Sequence, residues 1–493
     1  MSSVATGTQK PTYRQFIAGQ WVDAAGGGTF DDLNPYTGEV VATAPAGARE
    51  DARRAVQAAA EAFPAWSKTP PAERQRVFLA AADLLEGRSE EVVALLASET
   101  GCGFGFGMFQ LGFVAGLLRQ AAGTAYAPIG QVLPSDLPGA FAMGIRRPVG
   151  VVGAVAPWNA ALILSARSIA APLVLGNTVV AKPSEWSPFV GGLLWGEVFT
   201  EAGLPAGVLN VVTHAPDQAG PIADELVENP GVRRINFTGS TATGRRLAEA
   251  AGRHLKRVVL ELGGYNPLIV LADADLEYAV NASAFGAFLH QGQICMSARR
   301  IIVERPIAEE FVGRLAAKTA GLKAGDPSEQ DTVIGPLINE RALQTVAGRV
   351  ADAVAKGARV LAGGERVGRC YRATLLADVP ADSELARLET FGPVAAVEVV
   401  DGEQAAVRRA NDTPYGLAAG IITSDPDRGL ALAEQLQSGV VHVNDQPVHD
   451  EPQMPFGGVK ESGWGRFGSS AAVDEFTELR WVTVQSGTRP FPF

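Results

Sequence analysis

Three residues in this chain are of the kinds that carry acyl chemistry, and each sits where a predicted element ends. Cys295 closes the run Gly292-Gln293-Ile294-Cys295, between a predicted helix and a strand predicted over 301–303. A thiol is a capable nucleophile where burial is partial and dipoles or cations favour the thiolate, although most cysteines are small buried hydrophobes. Glu261 ends the apolar run Val258-Val259-Leu260 and precedes Leu262-Gly263-Gly264. Desolvation there raises a carboxyl towards the range useful to a general base; the alternative is an ion pair at a strand end. Asn159 follows Pro157-Trp158 at a strand-to-helix junction. Its amide suits a developing oxyanion and equally suits a helix N-cap. Cys102, in the glycine- and phenylalanine-rich run 101–109, and Cys370, beside charged loop residues, read as structural.

Two further segments have the chemistry of a nucleotide site. Thr238-Gly239-Ser240-Thr241-Ala242-Thr243-Gly244 joins a strand to a helix, where backbone N–H groups and the helix dipole face a pyrophosphate. It lacks the G-x-G-x-x-G pattern of common dinucleotide folds, so its position after a buried strand carries the argument. Lys182-Pro183-Ser184-Glu185 ends another strand of the same sheet, either beside a ribose or as a surface loop.

The elements that position these residues alternate. Apolar periodicity predicts a strand over 151–156, a helix over 160–175, a strand over 178–181, a helix near 191–202 and a strand over 208–212. It continues with a strand over 234–237, a helix over 244–254 and a strand over 257–262. Alternation of this kind implies a parallel, doubly wound nucleotide-binding sheet. After Gly263-Gly264 it restarts, with strands near 268–271, 301–303, 394–399, 420–423 and 440–443, so a second α/β domain begins at about 262. The chain up to about 125 reads as largely helical after a β-rich start at 16–21. Segments 131–147 and 481–485 resemble exposed strands outside either core, which invite pairing with another chain.

Bulk properties limit the alternatives. At 493 residues the chain exceeds one core, and 47% hydrophobic with 19% charged residues is ordinary globular composition. A net charge of −11, with no basic cluster, argues against nucleic acid as a partner. Three scattered cysteines make neither a disulfide framework nor a metal site, and suit a reducing cytoplasm. The polar N-terminus, Met1 to Arg14, lacks the apolar core of a signal peptide. The uncharged stretch 148–166 approaches membrane-spanning length, but Gly150, Gly153, Pro157 and Asn159 interrupt it, so a buried strand running into a buried helix is expected instead.

Together these segments resemble the aldehyde dehydrogenase superfamily along nearly the whole chain. The carrying motifs are Phe16-Ile17-Ala18-Gly19-Gln20-Trp21, Asn34-Pro35-Tyr36-Thr37-Gly38, Pro157-Trp158-Asn159, Lys182-Pro183-Ser184-Glu185, Phe237-Thr238-Gly239-Ser240, Glu261-Leu262-Gly263-Gly264, Gly292-Gln293-Ile294-Cys295, Glu389-Thr390-Phe391-Gly392-Pro393 and Pro455-Phe456-Gly457-Gly458-Val459-Lys460. The resemblance implies an α/β fold of that family: a Rossmann-type cofactor domain over 1–126 and 149–261, and an α/β catalytic domain over 262–446. Residues 127–148 and 474–493 are then a small β extension for oligomerisation, and 447–473 return to the cofactor domain.

By the same resemblance Cys295 attacks an aldehyde, the Asn159 amide and the Cys295 N–H hold the oxyanion, and Glu261 activates the water that hydrolyses a thioester. Trp158, Lys182, Ser184, Glu185, Gly239, Ser240, Leu262, Glu389 and Phe391 match cofactor positions of the family. A carboxylate at Glu185 that bonds ribose hydroxyls repels a 2′-phosphate, which favours NAD over NADP, while Lys182 and Ser184 leave NADP use open. Tyr265 stands where many members have lysine, and Thr390 where isoleucine is usual; both bear on local packing.

Within the family, Leu133-Pro134-Ser135-Asp136-Leu137-Pro138-Gly139, Gln293-Ile294-Cys295-Met296-Ser297 and Asp450-Glu451-Pro452-Gln453-Met454-Pro455 resemble the vanillin, benzaldehyde and salicylaldehyde dehydrogenase subgroup. An aromatic aldehyde is therefore the expected substrate. Phe109 and Phe113, on one helix face, with Ile294, Met296 and Phe456 make an apolar slot or ordinary core. Arg167 steers a polar ring substituent or is an ion-pair partner. The expected partners are a small aldehyde and further copies of the chain, as a homodimer or homotetramer, without membrane or metal. The rival readings are an aliphatic or amino-aldehyde dehydrogenase, a CoA-acylating enzyme, which Glu261 disfavours, and a catalytically silent structural member, which joint retention of Cys295, Glu261 and Asn159 disfavours.

Overall fold

Short aliphatic runs bounded by glycine, proline and polar turns make the strands that hold the site. Val151–Val155 (VVGAV) and Thr178–Lys182 (TVVAK) are buried at every residue, as parallel strands covered by helices on both faces must be. The computed structural model describes residues 10–216 and 218–493, so residues 1–9 of the polar N-terminus and Asp217 lie outside the described residues.

One sheet has eight strands, in the spatial order Gln20–Val22, Gln15–Ile17, Leu209–Val211, Thr178–Lys182, Val151–Val155, Val232–Thr238, Arg257–Glu261 and Gly463–Trp464. The five central strands run parallel; Gln15–Ile17 and Gly463–Trp464 pair antiparallel to their inner neighbours. From Val151–Val155 the chain winds outwards through two strands, then returns to add Val232–Thr238 on the other side. The strand order thus reverses between those two, and open α/β sheets bind ligands at such a reversal.

Residues 262–265 carry the chain directly from Arg257–Glu261 into Asn266–Val270 of a second, seven-stranded sheet. Its order is Arg359–Ala362, Thr374–Ala377, Val394–Val400, Ala298–Glu304, Asn266–Val270, Ala418–Ile422 and Val440–Val443. A third, antiparallel sheet pairs Thr477–Gln485 with Ala140–Pro148, and Ala140–Pro148 with Gly130–Leu133. Its outer residues Val132, Phe141, Leu479 and Trp481 are exposed.

The charge-free stretch 148–166 is strand Val151–Val155 followed by the start of helix Ala161–Val174, and among the described residues no helix is long and apolar enough to cross a membrane. The N-terminal part holds more β structure than its hydrophobic pattern suggests. A hairpin pairs Thr29–Leu33 with Val40–Pro45. Its first strand reads as polar loop because the residue it buries is Asp32, whose partner is the equally buried Glu99.

Candidate active site

The carboxyl ends of Val151–Val155 and Val232–Thr238 flank the strand-order reversal. The first runs into Pro157-Trp158-Asn159 and the second into Gly239-Ser240. Helix Thr241–Arg253 starts there because Ser240 Oγ accepts from Thr243 N at 3.3 Å, an ordinary N-cap. Gly239 admits no side chain, since a Cβ there would collide with the Phe237 ring. Asn159 is buried and does not cap a helix: its Nδ2 donates to the Gln293 carbonyl at 3.0 Å, leaving the second amide hydrogen for another acceptor.

Cys295 follows a tight turn. His290, Gln291 and Gly292 all take positive φ, of 49°, 53° and 64°. Only glycine adopts that conformation without cost, so the surroundings must hold the other two: the His290 ring packs on Phe106, with centroids 5.0 Å apart, and Gln291 is held by polar groups. Gln291 Nε2 donates to the carbonyls of Gly101 (3.2 Å) and Pro336 (3.0 Å). The Arg299 guanidinium donates to the carbonyls of Gly292 and Gly392, and Gln293 Oε1 accepts from Ile338 N at 3.0 Å. Asn266 Nδ2 grips the Cys295 carbonyl at 2.8 Å. The thiol is thus fixed by its backbone while its Sγ stays at a cavity surface.

Two cavities meet at that thiol. On one side lies a cleft of about 460 Å³, lined by Trp158, Thr238, Gly239, Ser240, Glu261, Leu262, Gly263, Glu389 and Phe391 among others. On the other is a cavity of about 550 Å³, lined by Gly105, Phe106, Phe109, Ile163, Arg167, Phe285, Leu289, Ile294, Met296, Val448, His449, Asp450 and Phe456. Asn159, Leu164 and Cys295 line both. A molecule in either cavity therefore reaches the same sulfur and the same amide.

Burial dominates the electrostatics. It pushes the Cys295 thiol up to about 12, with the Glu389 and Glu261 carboxyls adding to it and Arg167 opposing. Glu261 is pushed well above the usual carboxylate range, first by burial, against Arg167, Arg466 and the Gly458 N–H. One Glu261 oxygen, Oε1, is buried without a hydrogen-bond partner, the state of an acceptor waiting for a donor. Gly457 leaves it room, since a Cβ there would sit 2.6 Å from Oε1. Glu389 is raised to about 6 by burial, and accepts from Gly264 N at 3.1 Å.

The first cleft has the chemistry of a nucleotide site. It lies at the strand-order reversal, offers a helix N-terminus at Ser240, and is framed by Trp158 and Phe391 in edge contact at 5.8 Å. Lys182, Ser184 and Glu185 do not line it. They form a neighbouring cluster in which Lys182 Nζ meets His214 Nε2 at 2.6 Å and Ser184 Oγ donates to Glu185 at 3.1 Å. Among the described residues no group of three or more His, Cys, Asp or Glu side chains is placed to hold a metal.

In the second cavity Phe109, Ile294, Met296, Phe456 and Arg167 come together, whereas Phe113 is buried behind Arg167. The Arg167 guanidinium lies 5.5 Å from the Phe113 ring centroid and 4.4 Å from that of Phe456, and pairs with Asp450 at 2.6 Å. The departures at Tyr265 and Thr390 are structural: Tyr265 OH donates to the Leu385 carbonyl at 2.9 Å with Arg300 over its ring, and Thr390 is buried. The sequence names Asp450 only within a subgroup motif, with no role in the site, and does not point to His449. One signal was available, because a charge at Arg167 inside the apolar helix Ala161–Val174 demands a buried partner, and the acidic run around 450 could supply it.

Comparison with known proteins identifies the family. The sequence pattern of the "Aldehyde dehydrogenase family" matches residues 21–482. The chain is 50% identical over 476 residues to a vanillin dehydrogenase of Pseudomonas fluorescens, covering 97% of this chain and 98% of that one. Among solved structures, a salicylaldehyde dehydrogenase from Pseudomonas putida G7 complexed with salicylaldehyde superposes with TM-score 0.95 at 42% identity, over 98% of this chain and 100% of that one. An NAD-dependent aldehyde dehydrogenase from Sinorhizobium meliloti superposes with TM-score 0.94 at 37% identity, over 98% and 96%.

Proposed function

The chain belongs to the aldehyde dehydrogenase family, and from that premise we propose that it oxidises aromatic aldehydes of the benzaldehyde, vanillin and salicylaldehyde type to their acids, with NAD as cofactor. The observation that carries this reading is the junction of the two cavities at Cys295 and Asn159, one polar with a helix N-terminus, the other walled by Phe106, Phe109, Ile163, Ile294, Met296 and Phe456. A flat ring fits the second wall, and Arg167 gives it a polar corner.

Cys295 is the nucleophile. Its half-buried thiol is neutral at rest and passes its proton to water as sulfur bonds the carbonyl carbon, so charge appears on the aldehyde oxygen. The free N–H of Asn159 Nδ2 and the Cys295 N–H meet that charge. The chemistry that a nicotinamide cofactor would supply in the cleft is a two-electron acceptor, needed for the thiohemiacetal to become a thioester. Trp158, Gly239, Ser240, Leu262, Glu389 and Phe391 would hold it, with Lys182, Ser184 and Glu185 available to its ribose. Glu261, lining the same cleft with an unpartnered oxygen, takes a proton from the water that attacks the thioester carbon. The acid departs, and Glu261 returns that proton to the Cys295 sulfur. The eight-stranded sheet is thereby the cofactor unit and the seven-stranded sheet the catalytic one. Phe141, Leu479 and Trp481 on the third sheet support assembly with further copies, and three free thiols suit the cytoplasm.

Reduced-cofactor formation with benzaldehyde, vanillin, salicylaldehyde, hexanal and betaine aldehyde, against NAD and NADP in parallel, tests the reading. Faster turnover of the aromatic three with NAD is expected. Preference for hexanal or betaine aldehyde would keep the mechanism and discard the substrate class.

A further inference from the structure

The corner of the cofactor sheet that carries Lys182 and Glu185 also holds a buried histidine with no part in the scheme above. Strands Thr178–Lys182 and Leu209–Val211 are parallel neighbours with Ala181 opposite Val211. Lys182 and His214 therefore emerge side by side from carboxyl ends of adjacent strands, where such sheets bind ligands. Both are buried, His214 completely.

The hydrogen bonds around His214 fix its tautomer. Nδ1 lies 2.9 Å from the Ala215 carbonyl oxygen, which can only accept, so Nδ1 carries the proton and Nε2 presents its lone pair. Lys182 Nζ stands 2.6 Å from that lone pair and 3.2 Å from the Pro183 carbonyl. Two of its three ammonium hydrogens are thus spent on acceptors at the strand ends. Burial, then the Lys182 charge, holds His214 down to about 3, so the ring remains a neutral acceptor near neutrality.

Glu185 is the third member. Its Oε2 is 3.9 Å from His214 Nε2, accepts from Ser184 Oγ at 3.1 Å, and belongs to a side chain that keeps 22% of its surface. An ammonium anchored on His214 stays in the sheet rather than swinging out over Glu185. The carboxylate keeps its charge on the open side.

We propose that His214 is a specificity-determining residue for the cofactor: by anchoring Lys182 it leaves Glu185 as the charge facing the ribose, which selects a free 2′-hydroxyl and rejects a 2′-phosphate. The inference rests on the reading of Lys182, Ser184 and Glu185 as the ribose subsite. A hydroxyl donates to a carboxylate, whereas a phosphate brings acceptors and negative charge. Lys182 freed from His214 becomes a mobile cation able to pair with that phosphate.

The test is a fluorescence titration of the full-length protein with NADH and NADPH, for the wild type, His214→Phe, His214→Ala and His214→Asn. Phenylalanine keeps the ring volume without an acceptor, alanine removes both, and asparagine restores an acceptor oxygen. The wild type is expected to bind NADH more tightly. That preference should shrink about tenfold in whichever of the Phe and Ala variants folds, the worth of one charge-assisted hydrogen bond, and should largely survive in the Asn variant. A selective wild type whose preference persists in both the Phe and Ala variants overturns the proposal alone. A wild type that does not favour NADH overturns the ribose-subsite reading, and the proposal with it.

Discussion

The two cavities that meet at Cys295 are built from different kinds of structure. One wall of the cofactor-side cleft is made of strand ends and the turns after them, Pro157-Trp158-Asn159, Thr238-Gly239-Ser240 and Glu261-Leu262-Gly263; the facing wall is side chains of helix Glu340–Ala355. The aldehyde-side cavity is made of side chains from helices Phe104–Thr124, Ala161–Val174 and Leu276–Phe288, the turn before Cys295, and the irregular segment around 446–456. Strand ends are positioned by ladders of backbone hydrogen bonds, which sequence changes leave in place. A wall of side chains changes shape with each substitution. Asn159 and Glu261 are thus carried by strand ends and their turns, Cys295 lies where the two cavities meet, and under the proposed function the choice of substrate falls to the side-chain wall.

The sharpest way to break this division is to remove what both cavities share. Cys295→Ala should lower aldehyde oxidation by on the order of 10⁴-fold or more, as loss of a covalent nucleophile does. Because Cys295 hangs from backbone held by Asn266 and Arg299, NADH binding in the cleft should change little. Steady-state rates and a cofactor titration on the same preparation check both halves; turnover within tenfold of wild type would remove Cys295 from the mechanism.

Glu261→Gln should separate the two chemical steps. A neutral amide cannot take a proton from water, so reduced cofactor should form in a first-turnover burst and then stall, with steady-state turnover down by about 10²–10⁴-fold. The wild type should also show the sign of the raised carboxyl. Glu261 acts as a base only when ionised, so turnover should rise with pH through a value well above the usual carboxylate range, and the variant should lose that rise. Asn159→Ala tests the shared amide: a loss of about 10²–10³-fold in kcat is expected, since a donor to developing charge matters most in the transition state. A loss confined to KM would make Asn159 a substrate holder instead.

The same division explains how much the sequence discloses. Val151–Val155 and Arg257–Glu261 stand out as aliphatic runs followed by turn residues, so the sequence alone places Asn159 and Glu261 at strand ends. Arg359–Ala362 and Thr29–Leu33 do not stand out, because they are half exposed or bury a charged Asp32 in place of an apolar residue. On the aldehyde side, periodicity puts Phe109 and Phe113 on one helix face, yet only Phe109 lines the cavity. Arg167 covers Phe113, held there by Asp450 nearly three hundred residues later, and no local pattern encodes a contact of that span.

Asp450→Asn probes that contact directly. It leaves Arg167, 6% exposed, as an uncompensated buried charge, which costs about 3–5 kcal/mol when one partner of such a pair is removed. Urea unfolding should register the loss, and KM for hydroxylated benzaldehydes should shift more than KM for NAD, because the pair borders the aldehyde cavity and not the cofactor cleft. Equal shifts in both KM values would show that the two sides are not independent.

The smallest effect belongs to Gly105, in the first turn of helix Phe104–Thr124 at the edge of the aldehyde cavity. No atom lies within 4 Å of a Cβ built there, so neither close packing nor a left-handed backbone requires glycine. What glycine provides at this position is empty volume beside Phe106 and Phe109. Gly105→Ala should therefore fold, with stability raised by up to about 1 kcal/mol through helix propensity. Its methyl group should raise KM a few-fold for a ring bearing a methoxy substituent, as in vanillin, while leaving benzaldehyde nearly unaffected, the scale of one methylene's worth of fit in an apolar pocket. A change in thermal midpoint without a difference between the two aldehydes would place Gly105 outside the substrate wall, and would narrow the variable side to residues deeper in the cavity such as Ile294, Met296 and Phe456.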